Sequence, residues 1–186
     1  MLDERIGELL VQMERYSAEH EGIHAVPREE GRFLHMLVRL AQPRRVLELG
    51  TSSGYSTIWL ATAARRWGAR VETVEFDPAK IELARSNFER AGLEGIITVH
   101  QADANRFLAE LQGPLDFVFM DTEKEEYLSQ FRALWPNVER GGVVAADNAV
   151  DLAANMRDFL GHVKALEGAL SVTVPIGNGL ELTYRL

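Results

Sequence analysis

The stretch RVLELGTSSGYS at residues 45–56 is a short apolar run that enters a turn bracketed by Gly50 and Gly54 and continues into a helix-like segment. A strand, a glycine turn and a helix in this order let a ligand approach the backbone closely. A dinucleotide-binding turn has the pattern G-x-G-x-x-G, but Ser52 stands where the second glycine belongs. The turn therefore suits a carboxylate better than a pyrophosphate, with the hydroxyls of Ser52 and Ser56 beside the helix N-terminus.

Apolar runs of strand length alternate with helix-like segments after this turn. The runs lie at residues 46–49, 71–74, 96–99, 115–120 and 142–146. This alternation predicts five parallel strands with right-handed crossovers and helices on both faces. A helix is then expected over residues 152–163. Two final runs, joined by Gly177-Asn178-Gly179, predict an antiparallel hairpin, which gives an α/β fold with seven strands.

Length and charge narrow the classes of protein. The 186 residues, 46% of them apolar, predict one domain, with a helical cap at residues 1–42 and a core at residues 43–186. The net charge of −8 disfavours binding that depends on neutralising phosphates. The sequence has no cysteine and no leader-like segment, which predicts a cytoplasmic protein. No apolar run approaches the roughly 20 residues that span a bilayer, so no membrane partner is expected.

Acidic residues mark the ends of the second and third strands. Glu75 stands where a carboxylate can accept both ribose hydroxyls of an adenosine, although it could also be an ordinary helix-entry acid. Asp103 and Ala104 could present a carboxylate and an amide to an adenine edge, or Asp103 could cap the next helix. Glu48 lies inside an apolar strand, so it must be held by nearby amides or directed towards a ligand amine.

The fourth and fifth runs each end at a carboxylate, Asp121 and Asp147, and Asn148 follows the second of these. If the two runs are neighbouring parallel strands, their carboxyl ends bring these three side chains together. Oxygen-only ligation suits Mg²⁺, Mn²⁺ or Ca²⁺. Lys124 lies one helical step from Asp121, where it could take a proton from a hydroxyl that a metal has acidified. The alternative is that both carboxylates cap the helices that follow them.

These motifs together resemble the cation-dependent class I O-methyltransferases, the group that contains catechol and caffeoyl-CoA O-methyltransferases and their bacterial relatives. The resemblance covers most of the chain. Its strongest segments are residues 27–56, 74–78, 119–124, 141–148 and 175–182. It implies a Rossmann-like class I methyltransferase fold, S-adenosylmethionine as cofactor, a divalent cation that is Mg²⁺ ahead of Mn²⁺ or Ca²⁺, and a homodimer.

The resemblance also implies a role for each matching residue. The methionine part of S-adenosylmethionine would lie among Glu48, Gly50, Ser52 and Ser56, its ribose at Glu75, its adenine at Asp103 and Ala104, and Val26 would touch it as well. The metal ligands would be Asp121, Asp147 and Asn148. Asp121 would also bind the cofactor and take part in catalysis. Lys124 would be the general base. The resulting oxyanion of a catechol-type small molecule would attack the sulfonium methyl group.

Other functions remain open at this point. A second enzyme hypothesis is methylation of a hydroxylated wobble uridine in tRNA, for which a basic face could form from Arg28, Arg32, Arg39, Arg44 and Arg45. The chain could also be a non-catalytic module that binds S-adenosylmethionine. A nicotinamide-dependent dehydrogenase is disfavoured by Ser52 and by the terminal hairpin. Two features differ from the plant relatives: Glu123 replaces an aspartate, and the segment after Asn148 is shorter. The identity of the acceptor therefore does not carry over from those relatives.

Overall fold

The computed structural model describes residues 3–186, so the first two residues of the predicted helical cap lie outside the described residues. Two helices precede the sheet, and strands then alternate with helices. The elements are α1 (Glu4–Glu19), α2 (Arg28–Ala41), β1 (Arg45–Leu49), α3 (Tyr55–Ala64), β2 (Arg70–Glu75), α4 (Pro78–Ala91), β3 (Ile97–Gln101), α5 (Ala104–Ala109), β4 (Leu115–Met120), α6 (Tyr127–Leu134), β5 (Val138–Ala146), α7 (Arg157–Lys164), β6 (Ala169–Val174) and β7 (Leu180–Arg185). Among the described residues, no helix has the length and apolar character to cross a bilayer.

The seven strands form one sheet in the order β3-β2-β1-β4-β5-β7-β6. The first five strands are parallel, and β7 runs antiparallel to both β5 and β6. The predicted fold class is therefore confirmed. Strand order reverses between β1 and β4, and in open parallel sheets such a reversal creates a crevice beyond the carboxyl ends of the strands.

Helices cover the sheet on both faces, and the residues of each face form a separate apolar core. Helices α1 to α4 pack on one face, where α3 is buried along its whole length. Helices α5 to α7 pack on the other face. Because α3 is buried on all sides, its sequence has no polar face. The buried helix also fixes the position of the glycine turn that precedes it.

The predicted helix over residues 152–163 was wrong at its start, because α7 begins only at Arg157. The preceding segment is bound to the hairpin instead. The Val150 and Asp151 amides both donate to the Asn178 carbonyl, at 3.1 and 3.2 Å. Between residues 152 and 156 the chain forms turns, in which the Asn155 amide donates to the Leu152 carbonyl, three residues back, at 3.0 Å.

Candidate active site

A cavity of about 900 Å³ lies beyond the carboxyl ends of the parallel strands. Its wall contains predicted cofactor-binding, metal-binding and catalytic residues. These are Val26, Gly50, Glu75, Asp103, Ala104, Asp121, Lys124, Asp147 and Asn148. The fold therefore brings together most of the side chains that the sequence analysis selected. Glu48, Ser52 and Ser56 are not part of this wall.

Gly50 allows β1 and β4 to meet closely at the floor of the cavity. It has a φ of +93°, and a Cβ atom at this position would lie 2.1 Å from the carbonyl oxygen of Asp121. The Asp121 amide donates to the Leu49 carbonyl at 2.8 Å. A side chain on residue 50 would therefore force the backbone of Asp121 away from the position that this hydrogen bond fixes.

Glu75 is held by the glycine turn. Its Oε2 atom accepts the Ser52 amide at 3.0 Å, and its Oε1 atom accepts the Phe76 and Asp77 amides at 3.0 and 3.1 Å. Ser52 has a φ of +48°, which turns its amide towards the carboxylate. Backbone amides fix the orientation of Glu75, and its Oε2 atom, which accepts only one of them, keeps lone-pair capacity for a ligand hydroxyl.

Glu48 lies below the cavity floor, where it is fully buried. It accepts the hydroxyls of Ser56 and Thr73, both at 2.6 Å, and also the hydroxyl of Thr57. Three hydroxyls, not the amides that the sequence suggested, hold this carboxyl. Burial raises the pKa of Glu48 to about 7.

Asp103 acts as the N-cap of α5, because its Oδ1 atom accepts the Arg106 amide at 3.0 Å. It also lines the cavity, so capping and a role towards a ligand are compatible.

Phe76 is a residue that the sequence analysis missed. Its ring lines the same part of the cavity and is 71% exposed, which is unusual for a large apolar side chain. Its position directly after Glu75 was the available signal.

Asp121, Asp147 and Asn148 meet where β4 and β5 end. The two strands are parallel neighbours, and the Asp147 amide donates to the Met120 carbonyl at 3.0 Å. Asn148 has a left-handed backbone with a φ of +64°. Its Nδ2 atom donates to both carboxylate oxygens of Asp151 at 3.1 Å, so its Oδ1 atom is the one available as a ligand.

Buried negative charge accumulates at this end of the cavity. Burial and the charge of Asp121 raise the pKa of Asp147 to about 6. Burial and Asp147 raise the pKa of Glu30, which lies behind Asp147, to about 9. Glu30 Oε1 meets no donor among residues 3–186. A protonated Glu30 resolves this, because its hydroxyl then donates to the Asp147 carboxylate.

The donor set fits a hard divalent cation. Within residues 3–186 there is no cluster of three or more His, Cys, Asp or Glu side chains arranged to hold a metal ion. The predicted set differs from such a cluster because it combines two carboxylates with an amide oxygen, all of which are hard donors. Burial and the charge of Asp121 raise the pKa of Asp147 more than the neighbouring Lys124 lowers it.

Lys124 is fixed by three acceptors. Its Nζ atom donates to Asp121 Oδ1 at 2.8 Å, to the Thr122 carbonyl at 2.8 Å and to the Tyr127 hydroxyl at 3.0 Å. The Tyr127 hydroxyl donates in turn to the Met120 carbonyl at 2.8 Å. All three N–H bonds are used, so the side chain is an ammonium in this arrangement, and its position is set by the end of β4.

A sheet of this strand order, with a glycine turn after β1 and an acid at the end of β2, defines the class I methyltransferase fold. The sequence profile of the O-methyltransferase family matches residues 4–158. The chain belongs to this O-methyltransferase family.

Individual relatives support this assignment. The chain is 36% identical over 130 residues to a catechol O-methyltransferase of Niastella koreensis, covering 68% of this chain and 58% of that protein. It is 41% identical over 127 residues to a catechol O-methyltransferase of Mycobacterium tuberculosis, covering 68% and 57%. The structure of an O-methyltransferase from Bacillus cereus in complex with S-adenosylhomocysteine matches with a TM-score of 0.85 at 28% identity, covering 99% of this chain and 91% of that one. The matched part of the chain thus spans less than two thirds of the length of each of these two relatives.

Proposed function

We propose that this protein transfers the methyl group of S-adenosylmethionine to one hydroxyl of a catechol-type small molecule, with a divalent cation in the site. The observation that carries the proposal is the convergence of Asp121, Asp147, Asn148 and Lys124 in the cavity that also contains Glu75. The family membership and the names of the curated relatives support the same reaction and the same class of acceptor.

The cofactor would occupy the part of the cavity between the glycine turn and α5. Glu75 would accept the ribose hydroxyls, and Asp103 with Ala104 would face the adenine, against the exposed ring of Phe76. Val26 and Gly50 would border the methionine part. Glu48 and Ser56 would act from below by fixing the turn, and Ser52 would act through its amide to Glu75.

The acceptor would lie between the metal ligands and Lys124. A divalent cation, Mg²⁺ in the first instance, would lower the pKa of a coordinated hydroxyl when bound by Asp121, Asp147 and Asn148. Lys124 would first lose one of its own protons to solvent, which breaks one of its three hydrogen bonds. It could then accept the proton of the acceptor hydroxyl. The fixed positions of these side chains support catalysis by orientation, since methyl transfer needs oxygen, carbon and sulfur in line.

Charge on the cavity wall favours a small molecule over RNA. Four acidic residues line the acceptor end: Glu123, Glu125, Glu126 and Asp151. Side-chain amides hold three of them: Asn155 donates to Glu125 at 2.9 Å, Asn105 to Glu126 at 3.0 Å and Asn148 to Asp151 at 3.1 Å. Amides fix a carboxylate without neutralising it, so the wall repels a polyanion.

The arginines of the tRNA hypothesis do not line the cavity. Arg44 and Arg45 lie at the amino end of β1, opposite the crevice, and pair with Asp116 and Glu72 at 3.3 and 2.7 Å. Arg28 pairs with Glu14 at 2.9 Å. An arginine that is already paired with a carboxylate offers less charge to a phosphate.

The proposal includes a homodimer. Exposed apolar side chains lie on the terminal hairpin and on α2, where Leu170, Val172 and Leu40 are 60, 56 and 73% exposed. A second copy that covers them would remove this apolar area from water. Light scattering after size exclusion is expected to give twice the chain mass, and Leu170→Glu is expected to give one chain mass. A monomeric wild type would contradict the dimer.

A matched acceptor panel tests the proposed function. Chelator-treated protein would be assayed for methyl transfer to 1,2-dihydroxybenzene, to 1,3-dihydroxybenzene and to tRNA with a hydroxylated wobble uridine, each with and without Mg²⁺. We expect transfer only to the vicinal diol and only with Mg²⁺, because two adjacent oxygens are needed to chelate the cation. Turnover of tRNA alone would replace the small-molecule acceptor. No binding of S-adenosylmethionine would overturn the proposed function.

A further inference from the structure

Glu30 is a fully buried carboxyl group in the first turn of α2 that does not line the cavity. Its Oε2 atom accepts the backbone amide of Asn178 at 3.0 Å. Asn178 lies 148 residues further along the chain, in the turn between β6 and β7. Burying a carboxyl group raises the free energy of the folded state unless the group is hydrogen-bonded. The contact with Asn178 offsets part of that cost.

The hairpin turn fits closely around the Glu30 side chain. A Cβ atom on Gly177 would lie 2.4 Å from Glu30 Oε2 and 2.9 Å from Glu30 Cβ. Gly177 also has a φ of +57°, which favours glycine on its own account. The turn can therefore approach α2 only because residue 177 has no side chain.

The same turn holds the segment that follows the metal ligands. The Asn178 carbonyl accepts the Val150 and Asp151 amides, and the Gly179 carbonyl accepts the Ala149 amide at 2.8 Å. The contact is tight here too, since a Cβ atom on Gly179 would lie 2.3 Å from Val150 Cγ2. These three amides come directly after Asn148, so the turn fixes the backbone that gives Asn148 its left-handed conformation.

We infer that Glu30 is a positioning residue for the metal ligands Asp147 and Asn148, and that it acts through the hairpin turn at residues 177–179. Glu30 holds the turn, the turn holds residues 149–151, and these hold Asn148. Asn178 adds a direct link, because its Nδ2 atom lies 3.4 Å from Asp147 Oδ2. The inference rests on the proposed function, since it assumes that these ligands bind a cation.

Substitutions at Glu30 separate this role from a general effect on folding. Glu30→Ala removes the acceptor for the Asn178 amide, whereas Glu30→Gln keeps an acceptor oxygen and replaces the hydroxyl donor towards Asp147 with an N–H donor. Glu29→Ala, one residue earlier on the same helix, is the matched control. Three quantities would be measured: Mn²⁺ affinity by calorimetry, S-adenosylmethionine affinity, and hydrogen exchange at the amides of residues 149–151 in metal-free protein.

We expect Glu30→Ala to weaken Mn²⁺ binding at least about tenfold, the usual cost of losing a group that supports a ligand. Exchange at residues 149–151 should become faster, while cofactor affinity stays within about threefold, because Glu75 and Asp103, the proposed ribose and adenine contacts, lie at the ends of β2 and β3. Glu30→Gln should restore both properties, and Glu29→Ala should leave both unchanged. If Glu30→Ala does not fold, Glu30→Asp, which shortens the side chain by one CH₂, makes the same comparison.

Gly177→Ala tests the contact from the hairpin side. If both residues act through one contact, the double variant binds Mn²⁺ no more weakly than the poorer single variant. Additive losses would overturn the inference, and so would a Glu30→Ala variant with wild-type Mn²⁺ affinity and unchanged exchange. Failure of the wild type to bind Mn²⁺ at all would instead overturn the proposed function.

Discussion

Carboxyl groups surround the cavity, and the donors around each one determine what it can do. Glu75 is held by three backbone amides and remains at the cavity wall. Glu48 is held by three hydroxyls below the floor. Asp147 has a negatively charged neighbour and a buried position, and its pKa is raised to about 6 for that reason. Under the proposed function, one carboxyl group would bind the cofactor, another would support the glycine turn, and a third would bind the cation.

At the residue scale, Glu75→Ala should weaken S-adenosylmethionine binding by about 10- to 100-fold, since hydrogen bonds to a charged group contribute roughly 1.5–3 kcal/mol each. Mn²⁺ affinity should change by less than about threefold, because Glu75 is not one of the predicted metal ligands. Calorimetric titration of each ligand measures both. Glu72→Ala, on the same strand but hydrogen-bonded to Arg45 at the other end, is the control. An unchanged cofactor affinity would contradict the ribose assignment.

Sequence reasoning placed Asp121, Asp147, Asn148 and Lys124 in one cavity because parallel neighbours end at the same edge of a sheet. It could not select Glu30 in the same way. Glu30 lies in a helix turn beside one acid, Glu29, and between two arginines, Arg28 and Arg32, which is the pattern of a solvated surface. Only the contact with Asn178, far along the chain, shows that this carboxyl is buried.

At the element scale, one carboxylate ties three helices together. Glu14 of α1 accepts the hydroxyl of Tyr55, at the start of α3, and pairs with Arg28, at the start of α2, at 2.9 Å. Burial raises the pKa of Tyr55, so its hydroxyl stays protonated and keeps donating. The helices that close one side of the fold are therefore anchored beside the glycine turn.

Tyr55→Phe should lower the free energy of unfolding by about 1 kcal/mol, a typical value for a lost side-chain hydrogen bond. The melting temperature should fall by a few degrees, and hydrogen exchange in α1 should become faster. Tyr16→Phe is the control, because Tyr16 lies on α1, as Glu14 does, but is partly exposed. Equal melting temperatures and exchange rates for the two variants would show that the tie does not stabilise α1.

The order of elements follows from alternating apolar runs, and the hairpin from its Gly-Asn-Gly link, so both were predictable. The start of α7 was not. Leu152 and Met156 have helical spacing, but the chain between them forms turns, with the Asn155 amide donating to the Leu152 carbonyl. The spacing of apolar residues alone does not distinguish successive turns from a helix, which explains why the helix was predicted to start too early.

At the scale of the whole molecule, buried acids make stability depend on pH. The pKa values of Glu30 and Glu48 are raised to about 9 and about 7. A raised pKa in the folded state means that folding takes up protons, so this contribution is fully present below the unfolded pKa and is lost as the pH rises through the folded pKa. Burial lowers the pKa of His35 from 6.5, so folding is destabilised by His35 as the pH falls below 6.5. This effect is opposite in sign to that of the two acids, and it acts at lower pH.

The metal-free protein should therefore melt several degrees higher at about pH 6.5 than at about pH 8. Glu30→Gln should reduce this difference, because residue 30 then no longer titrates. Calorimetric melting curves at the two pH values, with wild type and variant side by side, give the result. A wild-type melting temperature that rises between pH 6.5 and 8 would show that these acids are not buried as described.

In the proposed function, methyl transfer depends on a cation held at the ends of β4 and β5. The most direct measurement is single-turnover methyl transfer from S-adenosylmethionine to 1,2-dihydroxybenzene by the wild type and Asp147→Ala across a Mg²⁺ titration, with cofactor affinity measured on the same preparations. We predict Mg²⁺-dependent transfer by the wild type and a rate at least about 100-fold lower for Asp147→Ala, with cofactor affinity within about threefold. Equal rates for the two proteins, or full transfer in the presence of chelator, would contradict the claim.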